Sequence, residues 1–152
     1  MPIPKPAHLG PRYGAQFEDA SVVAAYHLRP PYPAEAFEVL DRLQSASGGT
    51  ILDLGCGTGD VTLGLIGRAE GIDAVDSSRA MLAAACRRPG ADHPSIRWIC
   101  VAAEAFNFAR PYSLVIAGES LHWMDWDIVV PKIAGCIAPG ALLVLCHTMI
   151  LG

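Results

Sequence analysis

Short apolar runs recur along the chain at residues 51–54, 72–75, 96–101, 112–117 and 141–146, and stretches with helical spacing separate them. The first run reads as a buried parallel strand, apolar on successive residues rather than alternating. The others take the second to fifth strand positions. Ahead of them, residues 16–28 carry Phe17, Ala20, Val23, Ala24 and His27 on one side of an expected helix. Arg29-Pro30-Pro31-Tyr32-Pro33 breaks that helix. A second helix over 34–43 places Phe37, Leu40 and Leu43 at helical intervals. Small residues at 45–49 turn the chain into the first strand. The next helix, over 60–68, is weakened by Gly64 and Gly67, which let it lie close to the sheet. Ser77 or Ser78 caps the following one, whose Met81, Leu82, Ala85 and Cys86 are expected to face inward until Pro89-Gly90 ends it. A last helix covers 127–137, with Pro131 near its start, where its penalty is smaller.

The pattern is sharpest between Thr50 and Asp76, TILDLGCGTGDVTLGLIGRAEGIDAVD. The first strand runs into Gly55, Gly57 and Gly59 and then into a helix; the second ends on the carboxylate of Asp76. Glycines at such a turn adopt backbone angles closed to other residues and let a ligand lie against bare main chain. An acid closing the next strand is placed to accept hydrogen bonds from a ribose diol. The spacing narrows the ligand. A dinucleotide fingerprint needs its third glycine at position 60, which is Asp60. Carboxylates at Asp53 and Asp60 also suit a cationic or zwitterionic cofactor better than an anionic pyrophosphate.

DLGCGTG, followed by DSSRAML at residues 76–82, resembles the first two motifs of the class I S-adenosylmethionine-dependent methyltransferases, and the likeness extends over nearly the whole chain. That resemblance implies an α/β fold, a Rossmann-like doubly wound parallel sheet with helices on both faces and an N-terminal helical lid. It also implies one domain: a loose leader over 1–14, the lid over 15–48 and the cofactor-binding core over 49–152. The family's last two strands have no counterpart after the fifth, so the chain is expected to be truncated there. The resemblance assigns S-adenosylmethionine as cofactor, held by Asp53, Gly55, Cys56, Gly57, Gly59, Asp76, Ser77, Met81, Ala103, Glu104 and Ala117. Met81 is read equally as a cover for the adenine ring and as core filler. Ala102 stands where many members have an adenine-binding Asp, and Ser113 where the family usually has Asp. Tyr26 and Arg29 of the RPPYP lid would lie near the cofactor's methionine end or the acceptor; an Arg-Pro turn that only seats the lid explains them equally well.

Composition removes other classes. A net charge of −4 argues against a nucleic-acid surface. At 52% hydrophobic residues and a mean hydropathy of +0.34, the chain is too apolar to be disordered. The longest apolar stretch, 141–151, is interrupted by His147 and Thr148, so no membrane span is expected. The first fourteen residues lack the apolar centre of a secretory signal. Five separated cysteines, with no C-x-x-C pair, read as small buried hydrophobes in a reducing cytoplasm, and the histidines have no spacing for a metal.

Methyl transfer from a sulfonium is an in-line displacement of an activated group, so alignment and exclusion of water are the protein's main tasks. A base helps only where the acceptor is protonated, and His122 in the loop 118–126 is the candidate; a histidine packed on Trp123 as scaffold is the alternative. The expected activity is methyl transfer to a small-molecule acceptor, most like the trans-aconitate-type carboxyl methyltransferases. A catalytically silent cofactor-binding domain and an NAD-dependent oxidoreductase remain as alternatives. The apolar fifth strand, Leu142-Leu143-Val144-Leu145, is expected to be an exposed edge prone to self-association.

Overall fold

The computed structural model describes residues 5–10, 14–44 and 48–148. Parts of the expected leader (1–4, 11–13) and of the turn at 45–49 (45–47) lie outside the described residues. The apolar runs pair as one parallel sheet: β1 Thr50–Leu54, β2 Gly71–Asp76, β3 Ile96–Cys100, β4 Leu114–Gly118 and β5 Leu143–Cys146, in the order β3-β2-β1-β4-β5. Central β1 is buried from Ile51 onward, and its neighbour β4 from Leu114 to Ala117. That two-sided burial is why these strands lack alternation.

Alternate residues feed two cores. Leu52, Leu54, Val75 and Val115 meet Val129, Ile133 and Cys136 of α5 (Trp126–Cys136) on one face. Ile51, Ile72, Leu114 and Ile116 meet Leu40 of α2 (Ala34–Leu43) and Val61 of α3 (Asp60–Gly64) on the other. Leu82 of α4 (Arg79–Ala85) packs on Ala74. Two carboxyls are buried in the sheet, Asp53 of β1 and Asp73 of β2; Asp73 receives two hydrogen bonds from Arg97, directly opposite in the β2–β3 register, and one from the Tyr112 hydroxyl. A buried charge is tolerated only with such partners.

Several expected boundaries move. The helix over 16–28 is three pieces, a 3-10 turn at Ala15–Glu18, α1 at Ala20–Ala25 and a 3-10 turn at Tyr26–Leu28. Asp19 breaks it: its backbone is extended and its carboxylate accepts the Ser21 N–H, the geometry of an N-cap. The helix expected over 60–68 stops at Gly64. Gly64 admits the ring of Phe37 from α2 rather than the sheet, since a Cβ there would sit 2.2 Å from Phe37 Cε1. Helix α4 ends at Ala85, so Cys86 points outward. Cys100 is exposed as well; Cys56 and Cys136 are buried and Cys146 partly so. The cysteines therefore divide, because two of them fall on outer positions of α4's end and of edge strand β3. Among the described residues, no helix is long and apolar enough to cross a membrane.

Candidate active site

The register Leu54↔Val75 sets the end of β1 beside the end of β2. Beyond it the chain turns sharply: the N–H groups of Gly55 and Cys56 both donate to Val75 O, at 2.7 and 3.0 Å. Gly55, Gly57 and Gly59 all have positive φ, at 78, 54 and 83°. Their surroundings differ. A Cβ on Gly55 would lie 2.4 Å from Ser120 Cβ, and one on Gly59 2.6 Å from the Trp98 ring. On Gly57 the nearest atoms would be those of the Tyr26 ring at 3.8 Å, so only here is the main chain open on its Cβ side.

Asp76 ties the turn to β2. Its Oδ2 accepts the Gly57 N–H and its Oδ1 the Ser78 N–H, both at 2.8 Å. Each oxygen keeps a lone pair for a further donor. Burial pushes this carboxyl above its ordinary range, against the two backbone hydrogen bonds that lower it. Ser78 caps α4 by accepting the Met81 N–H, and its hydroxyl donates to Phe17 O at 2.8 Å, fastening the lid to the rim of the site.

A cleft of about 990 Å³ opens beyond these strand ends. Gly55, Gly57, Asp76, Ser77, Met81, Ala103 and Glu104 line it, seven of the residues expected from sequence. Asp53 and Cys56 line a smaller neighbouring cavity of about 370 Å³, together with Tyr26 and Arg29. Gly55, Tyr26 and Gly118 border both cavities. Gly59, Ala117 and His122 line neither: Gly59 faces Trp98, Ala117 is buried in β4, and the His122 ring tilts against Trp123 with centroids 4.7 Å apart. Partial burial holds His122 below the usual histidine range. Met81 is 1% exposed, so its side chain serves the core even where it meets the cleft.

Asp53 is 1% exposed and accepts a hydrogen bond from Thr62 Oγ1 at 2.6 Å. Burial raises its carboxyl to about 7 in spite of that bond. Arg29 donates to the Tyr26 hydroxyl and stacks over its ring, 4.9 Å from the centroid. Phe17 closes the top of the cleft, edge-on to Tyr26 and to Trp123 at 6.4 and 5.7 Å. Phe17, Glu18 and Glu119 were not among the expected site residues. Phe17 was legible as an apolar residue in the lid, but its place over the cleft depends on the break at Asp19. The cleft is acidic: Glu18, Asp76, Glu104, Glu119, Asp125 and Asp127 line it, against a single basic residue, Lys5. Lys5 Nζ donates to Met124 O at 2.6 Å and lies over the Trp126 ring.

Comparison with known proteins agrees with this geometry. A family model described as a methyltransferase domain matches residues 51–140. The chain is 32% identical over 124 residues to an uncharacterized methyltransferase of Mycobacterium tuberculosis, covering 81% of this chain and 49% of that protein. It is 36% identical over 113 residues to a trans-aconitate 2-methyltransferase of Pseudomonas aeruginosa, covering 70% and 38%. The solved structure of an S-adenosylmethionine-bound amino pentose methyltransferase from Micromonospora echinaspora aligns with a TM-score of 0.66 and 25% identity, over 80% of this chain and 53% of that one. The chain thus spans about half the length, or less, of the curated relatives it matches. With more than half of its residues inside the family model, and with its strand order and Gly55–Asp76 turn in place, the chain belongs to the methyltransferase-domain family of class I S-adenosylmethionine-dependent methyltransferases.

Proposed function

We propose that this chain is the cofactor-binding part of an S-adenosylmethionine-dependent methyltransferase that acts on a small-molecule acceptor. The observation that carries this reading is the meeting of Asp76 and the bare main chain of Gly57 in one cleft outside the carboxyl ends of β1 and β2. Ligands of open α/β sheets bind outside the carboxyl ends of the strands where the strand order reverses, here between β1 and β4, and Gly118 and Glu119 at the end of β4 line the same cleft.

The residues present fit such a cofactor. Asp76 is fixed by two backbone donors and keeps acceptor capacity for a ribose diol. Ala103 and Glu104 border the side where the adenine would lie, with Met81 beneath. Arg29 and the Asp53 carboxyl, in the adjoining cavity, would hold the carboxylate and ammonium of the methionyl end. The acidic lining suits a positively charged sulfonium better than a pyrophosphate. The bound cofactor would supply an activated methyl group. The protein's own work is orientation and exclusion of water: Phe17, Tyr26 and Trp123 wall the cleft, and the Ser78–Phe17 hydrogen bond keeps the lid in place. The names of the relatives support a small acceptor, carboxylate in one and amino sugar in another.

Calorimetric titration with S-adenosylhomocysteine tests the reading. Saturating ligand should also stabilise the fold, by about 2.7 kcal/mol at a hundred times Kd. Stabilisation by NAD and not by S-adenosylhomocysteine would overturn it. Binding without consumption of S-adenosylmethionine against acids, phenols and amines would identify a silent binding domain instead.

A further inference from the structure

Glu119 has φ 53°, the only positive φ of a non-glycine residue among those described. Such a backbone is uncommon for a residue with a side chain, and it persists where the surroundings over-determine it. They do so here. Glu119 follows β4 directly, and its N–H donates to Cys146 O at 2.9 Å, extending the β4–β5 ladder. Its Oε1 accepts the Thr148 N–H, and His147 Nδ1 lies 2.8 Å from its Oε2. On one side Gly118 packs under the Tyr32 hydroxyl, 2.8 Å from where a Cβ would be. On the other, Ser120 Oγ donates to Leu54 O at 2.6 Å.

The result is a fixed carboxylate, 12% exposed, on a residue lining the cleft next to Gly118, which borders both cavities. Each oxygen is engaged once and can accept again. The cleft it lines is aromatic and acidic: Phe17, Trp123 and Trp126 line it with Glu18, Asp125 and Asp127, Asp125 on the side of Glu104, whose Oε1 accepts its N–H at 2.7 Å. Lys5 is already bound to Met124 O. Aromatic faces and carboxylates together attract cations and repel anions.

We infer that Glu119 is the acceptor-binding group of this cleft and that the acceptor is a small-molecule amine rather than a carboxylic acid. The inference rests on the methyltransferase reading and narrows its substrate. An amine arrives as an ammonium, which has no lone pair to attack with. Its proton passes to the Glu119 carboxylate and from there to water, with His147 and Thr148 holding the carboxylate in place. The freed nitrogen lone pair forms the bond to the methyl carbon, the carbon–sulfur bond breaks with its electron pair left on sulfur, and the product leaves as a methylated ammonium. A carboxylate acceptor has no proton to give and would face like charges.

Thermal shift and methyl-consumption assays on the chain loaded with cofactor test this, with phenethylamine and glucosamine as amine probes and trans-aconitate and benzoate as acids. At least one amine should raise Tm in the presence of S-adenosylhomocysteine and support turnover, while the acids do neither. Glu119→Gln keeps an oxygen for the Thr148 N–H. It should bind S-adenosylhomocysteine within about threefold of the parent chain and lose the amine response at least tenfold. Glu119→Gly, which also relieves the left-handed backbone, should do the same and serves if the Gln variant does not fold. Stabilisation by the acids alone, no response to either amine, or an amine response that survives both substitutions overturns the assignment. Failure of the parent chain to bind S-adenosylhomocysteine overturns the methyltransferase reading itself, and the assignment with it.

Discussion

Replacing Asp53 by Asn should change how stability depends on pH, and the size of the change follows from where the side chain sits. Asp53 lies in the middle of the sheet, 1% exposed, with Thr62 Oγ1 as its side-chain donor. Its carboxyl is raised from 3.8 to about 7, first by burial. Below pH 4 the carboxyl is protonated in both folded and unfolded chains, so it contributes no pH dependence. Between about 4 and 7 the folded chain holds a proton that the unfolded chain has released, so stability falls as pH rises. Above 7 both are ionised and the loss is complete. At about 1.4 kcal/mol per pH unit over that interval, the loss is on the order of 4 kcal/mol. That is a large part of the ~5–15 kcal/mol that holds a typical domain together.

The Asn chain has no proton to exchange at this position. Its amide leaves N–H groups to satisfy in a buried place, about 1–3 kcal/mol, but that offset does not vary with pH. The quantity to measure is therefore the difference between the two chains, from urea unfolding between pH 4 and 8. Asp76, raised like Asp53, and His122, lowered and so opposite in sign, are common to both chains and cancel. The difference should move in favour of Asn by on the order of 4 kcal/mol across that range. A flat difference, within about 0.5 kcal/mol, would refute the reasoning and place water against the Asp53 carboxyl.

Three further outcomes are expected. A cation held beside Asp53 favours its ionised form, so binding of S-adenosylhomocysteine near pH 6 should release protons; calorimetry in two buffers of different ionisation heat detects this, and equal apparent heats would count against it. Gly64→Ala should destabilise the chain by about 1 kcal/mol, because overpacking against Phe37 outweighs the helix propensity gained. In a Phe37→Ala background the same change should become neutral or stabilising in chemical denaturation, and an unchanged effect would show that the ring simply moves aside. Leu145 on edge strand β5 and Leu142 just before it are 59% and 45% exposed, so the chain should associate with itself in a concentration-dependent way; sedimentation of Leu145→Lys should shift toward monomer, and identical profiles would clear this edge.

The strands and the turn after β1 were legible because their cause is local. An apolar run too short for a helix, buried on both faces, looks the same in sequence whatever it pairs with. All five strands accordingly lie within two residues of the runs that announced them. The lid was legible only as helical character. Asp19 is compatible with a helix, and nothing adjacent indicates that it takes the role of N-cap and splits the segment. The stop at Gly64 depends on Phe37 arriving from another helix, a tertiary contact with no local trace. His122 was singled out because histidine is the common base near neutral pH, yet its ring packs on Trp123 and the cleft is lined by its neighbours. Glu119 stood in the same loop. Its left-handed backbone and its hold on His147 and Thr148 arise from β5 lying beside β4, which sequence spacing does not reveal.

The three glycines of the turn show how binding capacity is built without a ligand. Gly55 and Gly59 are required by protein packing, against Ser120 and Trp98 respectively. These contacts set the position of the strand end and the start of α3, and between them Gly57 is left with its N–H bonded to Asp76 and its Cβ side open. The site's shape is therefore maintained by contacts that persist whether or not a ligand is bound, which lowers the ordering needed at the moment of association. It also separates the consequences of substitution. A side chain at Gly55 or Gly59 damages the fold first and binding through it, whereas Asp76→Asn fills the same space but removes the charge that a sugar diol would meet and one of the two acceptors that hold the Gly57 and Ser78 N–H groups. The spacing of the motif then reflects the geometry of a strand–turn–helix corner, tied to the end of β2 by the carboxylate of Asp76.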